Sequence, residues 1–501
     1  MKIPERIRPW LAPVLITAAV WLLWLPFLAG GSIRFDNDLM ISRPDTALSR
    51  YISEGRPGLV VLLHVLGLTA FNPLKSALLF LVFFTGAAWL PVLFLRRTGS
   101  PGSGRSDWLF VLLCAASPVW AYQFYFTLQL APVGLGMLLT AGTACLDTFW
   151  CMEERKTPLV RVPQMLLSSL LLGLAVSVYQ ALITHYLAVA AILVFSCLWN
   201  GQRIRPGRLL VWVLHVIASV AAYLAIARLL RGGESAYLNN QVLWGRQPVS
   251  ESLIGLFRQA GKLLVPLSSV SLSLYPVGII LLVLLLRQRR KAGKPLFIIT
   301  LAGIAVLILP LLMNIVLGGA TVPRTQFALQ VVAAFLPVFY AAAVPGKHRF
   351  LKGLCIAVAV LQAACVIRLW HTDTLRSRQD QAAAREIAAV LEEANPSGKP
   401  VLFYGTLPFE DSSVLTEKKD VIGMSFFEWG GYSPERPGYS TPGGVRLLEA
   451  VTDITPVPYH YWSIPADLDA LVRSMPEWPA EGSVRETEEA VVIRLRLDPE
   501  N

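Results

Sequence analysis

The sequence predicts an all-α polytopic membrane protein, with about eleven transmembrane helices over residues 1–370 and a small α/β domain over residues 371–501. Three observations carry that prediction. Apolar residues fill 54% of the 501 positions and charged residues only 15%, whereas soluble domains carry about 25% charged residues. Apolar runs close to the ~20 residues that cross a bilayer recur as far as residue 370. Lysine and arginine gather in short clusters between those runs, as they do where basic loops hold a membrane topology.

The runs fall near 10–30, 75–95, 107–121, 128–149, 163–181, 183–199, 209–230, 271–287, 295–317, 326–344 and 350–370. The stretch 163–199 is too long for one span, and Gln180, Thr184 and His185 mark its turn. The segment 58–71 is too short to cross and is expected at the interface or as a re-entrant piece. Lys2, Arg6 and Arg8 precede the first run, as in a secretory signal. Its tryptophans (Trp10, Trp21, Trp24) and lack of a small-residue cleavage site favour a retained helix. The spans read as nearly free of charge.

Basic residues set the orientation. Arg96, Arg97 and Arg105 mark one loop, Arg155, Lys156 and Arg161 the next on that side, then Arg203, Arg205 and Arg208. Arg287, Arg289, Arg290, Lys291 and Lys294 follow, and then Lys347, Arg349 and Lys352. With the N-terminus these alternate onto one face, the cytoplasmic one. The chain from His371 onward is therefore expected outside.

That last part is predicted as a helix over 373–394, with Asp373 capping its start and Asn395-Pro396-Ser397-Gly398 stopping it. Strands are expected over 401–404, 421–424 and 490–495. The aromatic run Phe426 to Tyr432, with Glu428 inside it, reads as a packed core edge or as a sugar contact.

Several function classes drop out. A net charge of +11 in a soluble domain would point to nucleic acid; here the charge belongs to the topology, and no nucleic-acid partner is expected. The six cysteines (114, 145, 151, 197, 355, 365) lie in or beside apolar runs and form no CxxC pair, so neither disulfides nor a zinc site is expected. The histidines are scattered without metal-ligand spacing. There is no Walker loop and no GxGxxG after a strand.

The chemistry is expected on the outward side. The loop 31–57 keeps Arg34, Arg43, Arg50 and Arg56 against the topological preference, together with Asp36, Asp38, Asp45 and Glu54. It reads either as a solvated loop with internal ion pairs, or as a site where carboxylates do acid–base work and arginines hold an anion such as phosphate. A second stretch, 231–265, carries Arg231, Tyr237, Asn239, Asn240, Trp244, Arg246, Arg258 and Lys262. Its polar and aromatic mix suits sugar or simply a connector. Arg324 stands almost alone between two spans, as a snorkelling anchor or an anion ligand.

Three stretches resemble a known family. Asp36-Asn37-Asp38 is followed by Arg50-Tyr51 and Gly55-Arg56-Pro57; 121–138 (AYQFYFTLQLAPVGLGML) is an aromatic-rich loop running into a span; and Tyr179-Gln180 is followed later by Pro323-Arg324. In this order, over most of 10–370, they resemble the bacterial glucosyltransferase-domain membrane proteins of the Gtr type that decorate O-antigen, of GT-C architecture. Members often have adjacent acids; here Asn37 separates Asp36 from Asp38, and which aspartate is central stays open.

The resemblance implies transfer of a hexose, most often glucose, from a polyprenyl-phosphate donor to a hydroxyl of an envelope glycan, on the outer face of the inner membrane and with inversion. Asp36 or Asp38 would be the general base. Arg50, Arg56 and Arg324 would hold the donor phosphate, with Tyr51, Tyr179, Gln180 and Arg246 at the substrate. A divalent cation, magnesium or manganese, shared by Asp36 and Asp38 is an additional expectation. The rival readings are a transporter or flippase, or a polymerase or ligase, of lipid-linked glycans. Transporters favour mid-membrane ionisable residues and internal repeats, neither of which the sequence displays.

Overall fold

A computed structural model describes residues 8–99, 107–152, 158–202, 204, 206–231, 241–265, 267–268, 271–272, 274–293, 296–344, 348–407, 421–430, 443–459 and 464–496. Lys2, Arg6, Arg105, Arg155, Lys156, Arg203, Arg205, Lys294, Lys347, Tyr237, Asn239, Asn240 and Tyr432 lie outside the described residues. The chain is mostly helical and divides into two units. The first comprises Met1–Ala29 and Leu48–Val366, the second Gly30–Ala47 and Ile367–Asn501.

Hydropathy builds the first unit. Among the described residues seven helices are long and apolar enough to cross a membrane, including Pro73–Arg97, Leu182–Trp199 and the helix that begins at Leu130. Val162–Val178 and Phe327–Ala343 are shorter apolar helices. Asn72 starts the Pro73–Arg97 helix: its side chain accepts from the Lys75 N–H at 3.0 Å, and Pro73 supplies a preset first turn. The Leu130–Met152 helix lies centrally, packed on Pro73–Arg97, Pro158–Val178 and Leu182–Trp199.

The structure departs from the expected spans where proline or a polar group interrupts an apolar run. The run 107–121 is two helices, Trp108–Ala115 and Val119–Phe124, broken at Ser117-Pro118 because proline removes a ladder donor. Pro310 likewise turns 297–317 through a single 3-10 turn. The expected 271–287 span begins only at Tyr275, after a short antiparallel pair, Leu267–Ser268 with Ser271–Leu272. The spans are also not free of charge: Asp147 sits buried in Leu130–Met152.

The short helix Pro57–Val65 packs on Pro158–Val178 at Gly58, the close small-residue approach common between membrane helices. A Cβ on Gly58 would run into Ser177 Oγ and stand 3.1 Å from the Leu174 carbonyl oxygen.

In the second unit one three-stranded sheet is ordered 401–404, 491–494, 484–486. The central strand runs parallel to the first, with Val401 opposite Val491, and antiparallel to the third. Leu402, Tyr404, Val492, Leu468, Val472 and Met475 form a core beneath it. Expected strand residues 421–424 form a turn with a single β-bridge at Ile422, and Gly423 adopts φ 80°. The expected helix start at Asp373 is absent: one helix runs His348–Ala394, since nothing between Leu354 and Ala394 breaks it. Asp373 is instead buried in that helix, where the Arg34 guanidinium donates to it at 2.9 Å. Phe35 meets the Phe426 ring edge-on at 4.7 Å, so residues 30–47 belong to the same unit as the chain's end.

Gly58→Ala is expected to destabilise the purified protein by about 1–3 kcal/mol through overpacking. Ser177→Ala in the same chain should recover part of the melting temperature, since the Leu174 carbonyl remains in place.

Candidate functional site

In the first unit four of the residues singled out from the sequence, Arg50, Tyr51, Tyr179 and Gln180, gather around Glu54-Gly55-Arg56. Gly55 turns the chain at φ 74° between the end of the Pro44–Ser53 helix and Pro57. Tyr223 Oη donates to the Gly55 carbonyl at 2.7 Å, and Gln180 Nε2 donates to Tyr223 Oη at 2.9 Å and to the Gly55 carbonyl at 3.2 Å. The carbonyl of Tyr51, a buried residue, accepts from the Arg56 N–H at 2.9 Å. The turn that presents Arg56 is therefore pinned from several helices.

Glu54 lies between two arginines, with Arg50 Nε at 2.9 Å and Arg56 Nη1 at 3.5 Å. The Arg56 guanidinium stands 5.0 Å from the Tyr179 ring centre and donates to Gln129 Oε1 at 3.4 Å. Tyr179 packs on Phe327, with centroids 5.7 Å apart. Phe327 opens a helix three residues after Arg324, whose guanidinium lies 5.2 Å from the Phe126 ring centre. Phe126 in turn precedes Gln129 by three residues. Four contacts and two three-residue steps along the chain thus connect Arg56, Tyr179, Phe327, Arg324, Phe126 and Gln129, and Glu54 pairs with Arg50 and Arg56. Positive charge over aromatic faces suits an anion attached to an apolar or sugar group.

The two aspartates belong to the second unit. Asp36 is partly exposed and holds φ 72°, the left-handed region that a non-glycine residue enters only at a cost. Asp38 is fully buried, and Arg446 Nε donates to its Oδ2 at 2.6 Å. Burial pushes the Asp38 carboxyl above the usual carboxylate range, while the Arg446 charge pulls it back and the neighbouring Asp36 adds to the rise. Asp38 Oδ1 and both amide atoms of buried Asn37 have no hydrogen-bond partner among the described residues.

Arg446 already holds one oxygen of Asp38, and two carboxylates with a guanidinium bonded to one of them are a poor donor set for a divalent ion, so the residues present do not fit a metal. Among the described residues no three His, Cys, Asp or Glu side chains gather for one.

Arg34 and Arg43 tie to Asp373 and to Glu449 at 2.6 Å. The loop's arginines thus divide: Arg34 and Arg43 brace the second unit, while Arg50 and Arg56 build the cradle of the first. Arg246 is exposed, on a turn whose Trp244 donates to the Ile315 carbonyl at 2.8 Å. Sequence reasoning missed Gln129, Tyr223, Phe327 and Arg446. Gln129 lies inside the aromatic-rich stretch 121–138 and was within reach of a sequence reading; Arg446 carried no signal, standing 408 residues from Asp38.

The first unit is thus an apolar helical bundle that presents guanidiniums over aromatic rings. The family model described as glucosyl transferase GtrII matches residues 25–341, and the chain belongs to that family. Among solved structures it is similar to the Archaeoglobus fulgidus oligosaccharyltransferase tethered with an acceptor peptide, at 14% identity and a TM-score of 0.38. That match covers 74% of this chain and 58% of the other, so the chain spans less than two thirds of that protein's length. No curated protein matches.

Removing Arg446 leaves a buried carboxylate unpaired, at a cost of about 3–5 kcal/mol. Without Arg446 the Asp38 carboxyl rises further above 3.8. A carboxyl raised by folding loses stability as pH climbs through its folded value. Arg446→Ala should therefore melt closest to the parent in acid and fall behind it as pH rises. A deficit that is constant with pH would contradict this.

Proposed function

We propose that the chain transfers a hexose, glucose by family, from a polyprenyl-phosphate donor to a hydroxyl of an envelope glycan. The observation that carries this reading is that Arg56 and Arg324 lie over the rings of Tyr179 and Phe126, with Arg50 and Arg56 both paired to Glu54. A lipid-linked sugar phosphate presents an anion, a sugar face and an apolar tail. Guanidiniums match the first, aromatic faces the second, and apolar helices the third.

Asp36 is the proposed general base. It is the more exposed of the two aspartates and the one held in a strained conformation, whereas Asp38 is fully buried. In the reaction the acceptor oxygen attacks the anomeric carbon, and its proton passes to the Asp36 carboxylate. The bond from that carbon to the donor phosphate oxygen breaks with its electron pair. The charge gathering on the departing lipid phosphate is met by Arg56 and Arg324. A single displacement inverts the anomeric centre. Asp38, locked by Arg446, positions the short helix behind Asp36.

Placement in the inner membrane with the N-terminus inside and the second unit outside belongs to the same proposal, supported by the basic clusters between the runs, and a GT-C arrangement of the spans is proposed from the family resemblance.

Asp36→Asn should lower transfer from polyprenyl-phosphate glucose at least ~10²-fold while melting stays unchanged. Arg324→Ala should raise the donor KM more than the acceptor KM. Mass spectrometry of envelope glycans from cells with and without the gene tests the whole reading: loss of one hexose per repeat is expected. An unchanged glycan with accumulating lipid-linked intermediates would replace the transferase with a flippase or polymerase.

A further inference from the structure

Inside the bundle lies a polar cluster that the proposed reaction leaves unused. Asp147 is buried in Leu130–Met152. Ser168 Oγ donates to its Oδ1 at 2.6 Å and Tyr186 Oη to its Oδ2 at 2.5 Å. Trp212 Nε1 donates to Tyr186 Oη at 2.5 Å, which directs the tyrosine hydroxyl hydrogen toward the carboxylate. His215 Nε2 stands 4.0 Å from Asp147 Oδ2 and 3.2 Å from Ser168 Oγ, and its Nδ1 is 2.7 Å from Ser169 Oγ.

Each oxygen of Asp147 thus receives an O–H donor, the arrangement of an ionised carboxylate. Both ring nitrogens of His215 face hydroxyl oxygens able to accept, so a doubly protonated ring is satisfied in place. A lone charge among apolar helices is costly, and ionisable residues there are found paired. Among the described residues His215 is the side chain within 4.0 Å of this carboxylate that can take up a positive charge. The nearby Arg208 instead donates to the Cys151 carbonyl at 3.4 Å.

The four helices meeting here are also those that build the cradle. Leu130–Met152 follows Gln129 directly, Pro158–Val178 runs into Tyr179-Gln180, and Leu182–Trp199 starts just after them. Pro206–Arg231 carries Tyr223, eight residues and about 12 Å along the helix from His215.

We infer that Asp147 and His215 form an intramembrane ion pair that positions these four helices, and through them the guanidinium cradle for the donor phosphate. The positioning role rests on the proposed donor site; the ion pair does not. Both are positioning residues, since neither reaches the cradle itself.

The experiment is a double-mutant cycle on the full chain in nanodiscs with Asp147→Asn, His215→Gln and the pair together, with Ser168→Ala as a milder probe. Two quantities are read: the melting temperature, and its rise on adding polyprenyl phosphate, which reports binding without catalysis. Each single charge change should lower the melting temperature and weaken polyprenyl-phosphate binding at least ~10-fold, and the double variant should recover much of both. Ser168→Ala should shift both in the same direction by less.

Additive single effects in melting would overturn the ion pair. Coupled melting with unchanged phosphate binding would overturn the positioning role. A parent chain whose melting does not respond to polyprenyl phosphate would sink the donor-site reading and with it the positioning role, while the melting cycle would still decide the pair. If a single charge variant fails to insert, the Ser168→Ala result stands in its place. No change in melting or binding there overturns the inference.

Discussion

The cradle of the first unit depends on how one nearly buried guanidinium is accommodated. Arg56 is only 8% exposed, and a charge withdrawn from water must be met by opposite charge, hydrogen bonds or aromatic faces. Glu54, Gln129 and Tyr179 supply one of each. Because they come from separate stretches of chain, satisfying Arg56 fixes several helix ends at once. The close packing of Gly58 on Ser177 and the grip of Tyr223 on the Gly55 carbonyl follow as supports of that geometry. Arg324 joins through packing alone, by way of Phe327 and Phe126.

Electrostatics organises the second unit differently. Arg34 with Asp373, Arg43 with Glu449 and Asp38 with Arg446 tie residues 30–47 to the chain's end. Two of these pairs are largely out of water, where losing one partner costs far more than making the pair gains. The charges that this loop carries against the topological preference therefore have a structural explanation at Arg34, Arg43 and Asp38. The chemical role assigned here falls instead on the partly exposed Asp36 and its left-handed backbone.

Where the sequence reading missed, the reason is local to particular residues. Averaging hydropathy over a span-length window blurs Pro118 and Pro310, although each was visible as a letter. Asp373 has the chemistry of a helix cap, but capping needs a preceding segment that is not helical, and residues 348–372 are. Asp147 leaves no mark in hydropathy because one carboxylate hardly alters the apolar average of its helix, although Ser168 and Tyr186 of the neighbouring helices both bond to it. Motif resemblance singled out Arg56, Tyr179, Gln180 and Arg324 separately. That Arg56 lies over the Tyr179 ring, that Gln180 holds the Gly55 carbonyl next to Arg56, and that Arg324 joins through Phe327 are properties of the packed bundle.

The sequence by itself determined that the chain is apolar, helical and membrane-embedded, because the transfer of a residue from water to lipid depends on that residue and its near neighbours. It also marked, through basic residues between the runs and the short motifs, where chemistry was to be sought. Tertiary structure alone decided which charges are spent on structure and which line the cradle. Ion pairs, rings stacked under guanidiniums and buried hydrogen bonds join residues far apart in the chain, Asp38 with Arg446 or Gly55 with Tyr223, and no local property of either partner records the other.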